Sequence, residues 1–179
     1  MSDSPKSVHQ AALATARALQ HASPGDLAAM RRMREDAGAP LFWRLAARHP
    51  VIDRNPDAWI AIARMLALLT PTGQPSSRPP LHDASRRLGA VLCDGGDRTW
   101  SGPTPMLSEA RLARLLAARG KARRVALERA LRMLANRRPP GPLVNVPDIA
   151  WAVLNPAGDR IARDYYARLD RAAHQEEEA

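Results

Sequence analysis

The sequence predicts an all-α protein of two small helical bundles, with eight or nine helices. Three observations carry this. Apolar residues recur at the spacing of an α-helix, and no run alternates as a half-buried strand would. The apolar content, 45 % of the 179 residues, is mostly Ala and Leu, which favour helices, and aromatics make up only 4 %. Helix-start signals also recur, with a small polar residue followed by Pro and then Asp.

A first helix is expected over about 5–21. Ser23-Pro24-Gly25-Asp26 opens a second, with Ser as N-cap and Asp where the helix dipole favours an anion. It places Leu27, Met30, Met33 and Ala37 on one side and turns Arg31 and Arg32 largely away. PLFWRLAAR, 40–48, is a short apolar helix ended by His49-Pro50. Asn55-Pro56-Asp57 repeats the start signal and opens a strongly apolar helix to Leu69. TPTGQPSSRPP, 70–80, is a loop. A helix over roughly 81–94 follows, and GGDRTWSGPTP, 95–105, is a second long break. Two helices then span 108–119 and 121–137, hinged near Gly120. Asn145 and Asp148 are placed to cap a short helix, and a final helix closes the chain before the acidic HQEEEA tail. The break near 95–105 suggests an N-terminal bundle, 1–100, and a C-terminal bundle, 101–179, that includes the acidic tail.

Composition narrows the class of function. Net charge is +9 and the pI about 11.2. Self-repulsion of that size suggests an anionic partner. Of the 27 cations all but Lys6 and Lys121 are Arg, whose planar guanidinium meets phosphate with two parallel hydrogen bonds. A GC-rich genome accounts for much of the Arg-over-Lys preference but not for the clustering. Residues 1–106 carry 13 cations and 9 anions, 107–138 carry 10 and 2, and 139–179 carry 4 and 7. The middle segment is therefore the electrostatic centre.

Leucine spacing decides where those cations point. Leu112, Leu115 and Leu116 form one inward stripe, leaving Arg111 and Arg114 on a shared flank. Leu127, Leu131 and Leu134 form another, with Arg129, Arg132 and Asn136 roughly opposite. Glu128 faces Arg124 and Arg132 one turn away, and one acid cannot neutralise the group. A solvated basic face without a partner is the bland alternative. The cations spread over several helices and aromatics are scarce, which favours contact with a phosphate backbone over reading of bases. Phe42, Trp43, Trp59 and Trp151 sit at core-like positions. Trp100, in a loop between Gly and Pro residues, suits base stacking or, better, anchoring of the loop.

The single cysteine, Cys93, excludes an internal disulfide, and a small core residue is its expected role. MSDSPKSVHQ lacks a signal-peptide core, and WIAIARMLALL is too short to span a bilayer and is broken by Arg64. A soluble cytoplasmic protein is expected. The five histidines are isolated and show no metal-binding spacing. His82-Asp83 and Ser85 are close in sequence, which does not create triad geometry. Glu35 and Asp36 are expected on solvent at a helix end. No catalytic residue, metal or cofactor is expected.

The ordered segments AAMRRM, PLFWRL, RRLGAVL, SEARLARLL with ALERALRML, VNVPDIAWAVL and RIARDYY resemble the small subunit of the type I-E CRISPR Cascade complex, the CasB family. The resemblance covers about 27–168. It implies an all-helical, non-catalytic subunit of two small bundles, present as two copies along the complex. Its implied partners are the other Cascade subunits, the guide RNA and the target DNA, and its basic surface would hold the displaced strand of the R-loop. By matching position it implicates Arg31, Arg32, Arg111 and Arg129, with Arg87 beside the equivalent surface. Val146 stands where the family often has Trp, with Trp151 one turn on to fill that space. The NPAG at 155–158 lacks an aromatic pair sometimes found there. With the charge clustering, the expected backbone-binding set is Arg31, Arg32, Arg87, Arg111, Arg114, Arg119, Arg123, Arg124, Arg129 and Arg132. A helix-turn-helix regulator turning at Arg119-Gly120-Lys121 is the alternative, although the helix that follows has few side chains suited to base edges. A scaffold contacting only acidic proteins is a third class.

Overall fold

The computed structural model describes residues 4–34, 37–137, 143–155 and 159–177, with side chains from Arg160 to His174 in the last segment. Glu35, Asp36, Arg138, residues 156–158 and the acidic side chains of the tail lie outside the described set. Among the described residues there are ten α-helices and no strand. They are α1 (Pro5–Gln20), α2 (Pro24–Arg31), α3 (Pro40–Arg48), α4 (Pro50–Asp53), α5 (Pro56–Leu69), α6 (Leu88–Asp94), α7 (Glu109–Ala117), α8 (Gly120–Arg137), α9 (Val146–Leu154) and α10 (Asp159–Glu177). The all-α class is as the sequence predicts, and α4 is the one helix the periodicity does not announce. Among the described residues no helix is long and apolar enough to cross a membrane.

Proline opens each of the first five helices, where its fixed φ suits the helix and its missing N–H is not needed. Ser23 Oγ accepts from the Asp26 N–H at 3.0 Å and donates to the Asp26 carboxylate at 2.8 Å, a reciprocal cap. Asn55 Oδ1 accepts from the Ala58 N–H at 3.4 Å. The α7–α8 hinge falls at Gly120, whose φ of +50° favours glycine.

The expected helix over 81–94 is only half formed. Residues 81–87 are irregular, with backbone bonds between Leu81 and Val144 and between Asp83 and Val144, both 3.0 Å. That pairing and the Asp83 side chain, which accepts from the Ser85 N–H at 2.9 Å, hold the backbone out of the helix. Asp148, expected to cap its own helix, instead caps α6. Its Oδ2 accepts from the Leu88 N–H at 3.2 Å, and Asn145 makes no side-chain cap to α9.

Helix α5 is the axis of the molecule. Of its side chains only those of Pro56, Asp57, Arg64 and Leu68 escape full burial, and α1, α2, α3, α4, α8 and α9 pack around it. The core crosses the 95–107 loop, because α1 packs on α9, α5 on α8 and α6 on α10. Asp94, at the end of α6, is fully buried and ties that loop down. Its carboxylate accepts from Arg86 at 2.8 Å, from Arg168 Nε at 2.9 Å and from the Gly96 N–H at 2.9 Å. The Arg168 guanidinium lies 5.1 Å from the Trp100 ring centroid and also donates to the Trp100 carbonyl. Trp100 is therefore a loop anchor.

The tightest helix crossing is α6 on α10. A Cβ at Gly89 would stand 2.2 Å from the Ile161 carbonyl oxygen and 2.8 Å from the Tyr165 nitrogen, both backbone atoms. Gly89→Ala should therefore force the helices apart and destabilise the fold by about 1–3 kcal/mol. Denaturant unfolding measures this, and an unchanged midpoint would contradict the close crossing.

Candidate nucleic-acid interface

On α8, Val125, Glu128, Arg129 and Arg132 fall at i, i+3, i+4 and i+7 and so share one face. Leu127, Leu131 and Leu134 are buried on the other, against the core. Because α8 packs on α5, and α5 on α2, the α8 face meets the end of α2 above α5. The result is a groove of about 470 Å³ lined by Arg31, Arg32, Met33, Arg64, Val125, Glu128, Arg129 and Arg132. Among the described residues, five guanidinium groups against one carboxylate give its lining a formal charge of +4.

Arg64 organises the floor. Its Nε and a terminal nitrogen donate to Glu128 Oε2 at 3.0 and 2.5 Å, and its other terminal nitrogen donates to the Met33 carbonyl at 3.2 Å. The second carboxylate oxygen of Glu128 accepts from Arg132 at 3.0 Å. One acid thus sits between two arginines from different helices. The Arg64 and Glu128 side chains are only 19 % and 14 % exposed, against 57 % for Arg132. Arg64 is absent from the set expected from sequence, although a lone cation inside WIAIARMLALL was its visible signal.

The expected arginines divide into three groups. Arg32 and Arg129 line the groove, are exposed, and make no side-chain hydrogen bond or ion pair among the described residues. Arg132 lines it while paired to Glu128. Arg31 also lines it but is half-buried, donating to the Ala67 and Thr70 carbonyls at 2.8 and 2.5 Å. It thereby satisfies the open end of α5. Burial, and then the neighbouring Arg78 charge, lower its pKa.

A second group lies on α7, α8 and the turn between them, outside the groove lining. Arg111 and Arg114 are exposed on α7, and Arg111 reaches Met133 Sδ of α8 at 3.8 Å. Arg124 is half-buried on α8. Arg119 is exposed, but one of its terminal nitrogens closes α7 by donating to the Leu116 and Ala118 carbonyls at 2.6 and 3.0 Å.

The third group is elsewhere. Arg87 faces Asp148 at 3.3 Å and Asp164 at 3.5 Å, among α6, α9 and α10. Arg123 is 3 % exposed and donates to the Ala152 carbonyl at 3.2 Å and the Leu115 carbonyl at 3.3 Å, pinning α8 to α9 and α7. Its pKa is lowered by burial and then by Arg119. Arg123 lies one turn before Leu127, on the buried stripe. Trp43 departs from expectation in the opposite sense: it is exposed, whereas Phe42 and Trp59 are buried as expected.

The family described as CRISPR-associated protein Cse2 matches residues 26–166, which include every residue of the groove. The chain belongs to the Cse2 family. Cse2 is the CasB small subunit of type I-E Cascade, so the resemblance read from the ordered segments and the family match agree. Comparison with curated proteins and with solved structures finds no match.

The placement of arginines in this Cse2 chain is open to a direct test. Arg123→Ala should cost about 2 kcal/mol of stability, because it removes charged hydrogen bonds inside the core. Arg129→Ala should stay within about 0.5 kcal/mol, as a surface change does. Equal losses in thermal or denaturant unfolding would contradict the division.

Proposed function

We propose that this Cse2 chain is a non-catalytic Cascade subunit that holds nucleic acid by its phosphates, along the α2–α5–α8 groove and the adjoining face of α7. In this role it stabilises the R-loop, the displaced strand above all. Its partners are then the guide RNA and target DNA, the other Cascade subunits and a second copy of itself. The observation that carries the proposal is the convergence of five arginines from three segments on one groove with a single acid among the described residues.

Opening a duplex against a guide is nearly neutral in base-pairing energy. A surface that grips the freed strand through its phosphates tips that balance without reading sequence. Arg32 and Arg129, exposed at the groove, offer two-pronged donors to phosphate oxygens. Arg64 and Arg132, fixed by Glu128, add positive potential behind them. Alignment with partner subunits raises the effective concentration of such a weak site.

A variant carrying Arg32→Glu, Arg111→Glu and Arg129→Glu tests this, with Arg31 left intact because it closes α5. Affinity for a single strand should weaken, and the slope of log affinity against log salt should become shallower by about 2, from roughly 0.7 per lost phosphate contact. R-loops formed by the assembled complex should dissociate faster. A folded triple variant with unchanged strand affinity and slope would refute the proposal. Glu128→Gln should act in the opposite direction. Removing one negative charge from the groove is worth about 1 kcal/mol across 4 Å of water, so strand affinity should rise roughly fivefold. A loss of affinity in a variant whose unfolding midpoint is unchanged would count against the groove.

A further inference from the structure

We infer that Trp43 is a base-stacking platform that receives a nucleic-acid strand beside the arginine groove. The inference rests on the proposed function and adds base contact to it. Trp43 is 47 % exposed, whereas Trp59 is fully buried and Trp100 and Trp151 are half-buried. The ring is nonetheless held. It meets the buried Phe42 ring edge-on, with centroids 5.1 Å apart and planes at 74°. Beneath it is Gly38, where a Cβ would stand 2.8 Å from two of its atoms, so the missing side chain makes the seat for the indole. The aromatic surface is fixed on two sides and otherwise open to solvent.

Its surroundings select the ligand. Pro40, Trp43, Arg44, Ala47 and Arg48 form the exposed face of α3, a helix without an acid. Neither Arg44 nor Arg48 pairs with a carboxylate among the described residues. An aromatic ring flanked by guanidinium groups is the arrangement that binds single strands, with stacking for the base and charge for the phosphates. Trp and Arg also anchor protein interfaces, but the buried centre of such a patch is more apolar than this face with its one large hydrophobic side chain. The other exposed large hydrophobic side chains among the described residues, Leu143 and Tyr166, lie outside α3.

Position links this face to the groove. Met33 lines the groove and gives its carbonyl to Arg64, and Gly38, five residues on, carries the Trp43 ring. Five residues of chain span at most about 18 Å. Helix α3 also packs on α2 and α5, the helices that bear Arg31 and Arg64. A strand gripped in the groove thus meets Trp43 within a few nucleotides, and stacking there is tolerant of sequence because every base presents a π-face.

The test titrates the full chain at low salt with oligo-dT and, separately, with an abasic phosphodiester oligomer of equal length. Oligo-dT should quench tryptophan emission, the abasic oligomer should not, and the quenching should vanish in Trp43→Phe. Trp43→Ala should weaken oligo-dT binding about 5- to 150-fold, leave abasic binding unchanged, and be partly rescued by Trp43→Phe. Equal binding of both oligomers without quenching would overturn the stacking platform while leaving the phosphate groove in place. Failure of both oligomers to bind would overturn the proposed function and this inference together. A Trp43→Ala chain that binds oligo-dT normally but no longer joins the other Cascade subunits would assign the face to protein docking and overturn the inference.

Discussion

A cation in the middle of the central helix must find a partner, and the answer to that requirement shapes the rest of the molecule. Helix α5 is packed by six other helices, and Arg64 is its one cation. A guanidinium that is 19 % exposed is costly unless its donors are met. Glu128 of α8 and the carbonyl of Met33 meet them. This pairing holds α8 across α5 and positions the segment after α2, and the same geometry sets Arg32, Arg129 and Arg132 around one opening. The acid that satisfies Arg64 is also the one carboxylate among the described residues of the groove. Structural need and the proposed binding surface therefore meet in one ion pair.

The arginine excess has a second use that composition conceals. Arg78 is buried and gathers carbonyls, donating to Leu19, Gln20 and Ala22 at 3.1, 3.3 and 2.6 Å and to Gly73 at 2.7 Å. Arg31 does the same at the end of α5, Arg119 at the end of α7, and Arg123 between α7 and α9. Carbonyls at helix ends lack intrahelical donors, and an arginine with five N–H groups serves several at once. Arg86 and Arg168 enclose the buried Asp94. Net charge thus overstates the binding surface, since these side chains hold the fold together.

How much of this was legible in the sequence depended on whether a signal was local. Helix starts at Ser23-Pro24 and Asn55-Pro56 were readable, because cap chemistry acts within three or four residues. The failure of 81–87 to form helix was readable only in part, because the Asp83–Ser85 turn is local whereas the pairing with Val144 is some sixty positions away. Asp148 misled for the same reason, since the N–H it caps belongs to α6 rather than to its own helix. The burial of Arg123 was written in the leucine stripe and was masked by the charge of its neighbours. Arg64 stood out in an apolar helix, yet its partner Glu128 was visible only as a neighbour of Arg124 and Arg132. The exposure of Trp43 was present in the periodicity, since Phe42, Leu45 and Ala46 form the inward stripe of α3 and leave 43, 44, 47 and 48 outward, but the aromatic character of Trp43 masked it.

The most direct measurement is the side-chain Nε–H resonances of the arginines, followed by NMR as a single-stranded oligonucleotide is added. Arg32, Arg64, Arg129 and Arg132 should shift together, while Arg78 and Arg123, committed to buried carbonyls, stay still. Shifts confined to Arg87, Arg160 and Arg163 among α6, α9 and α10, or a bound strand that leaves the groove resonances unmoved, would contradict the assignment of the groove.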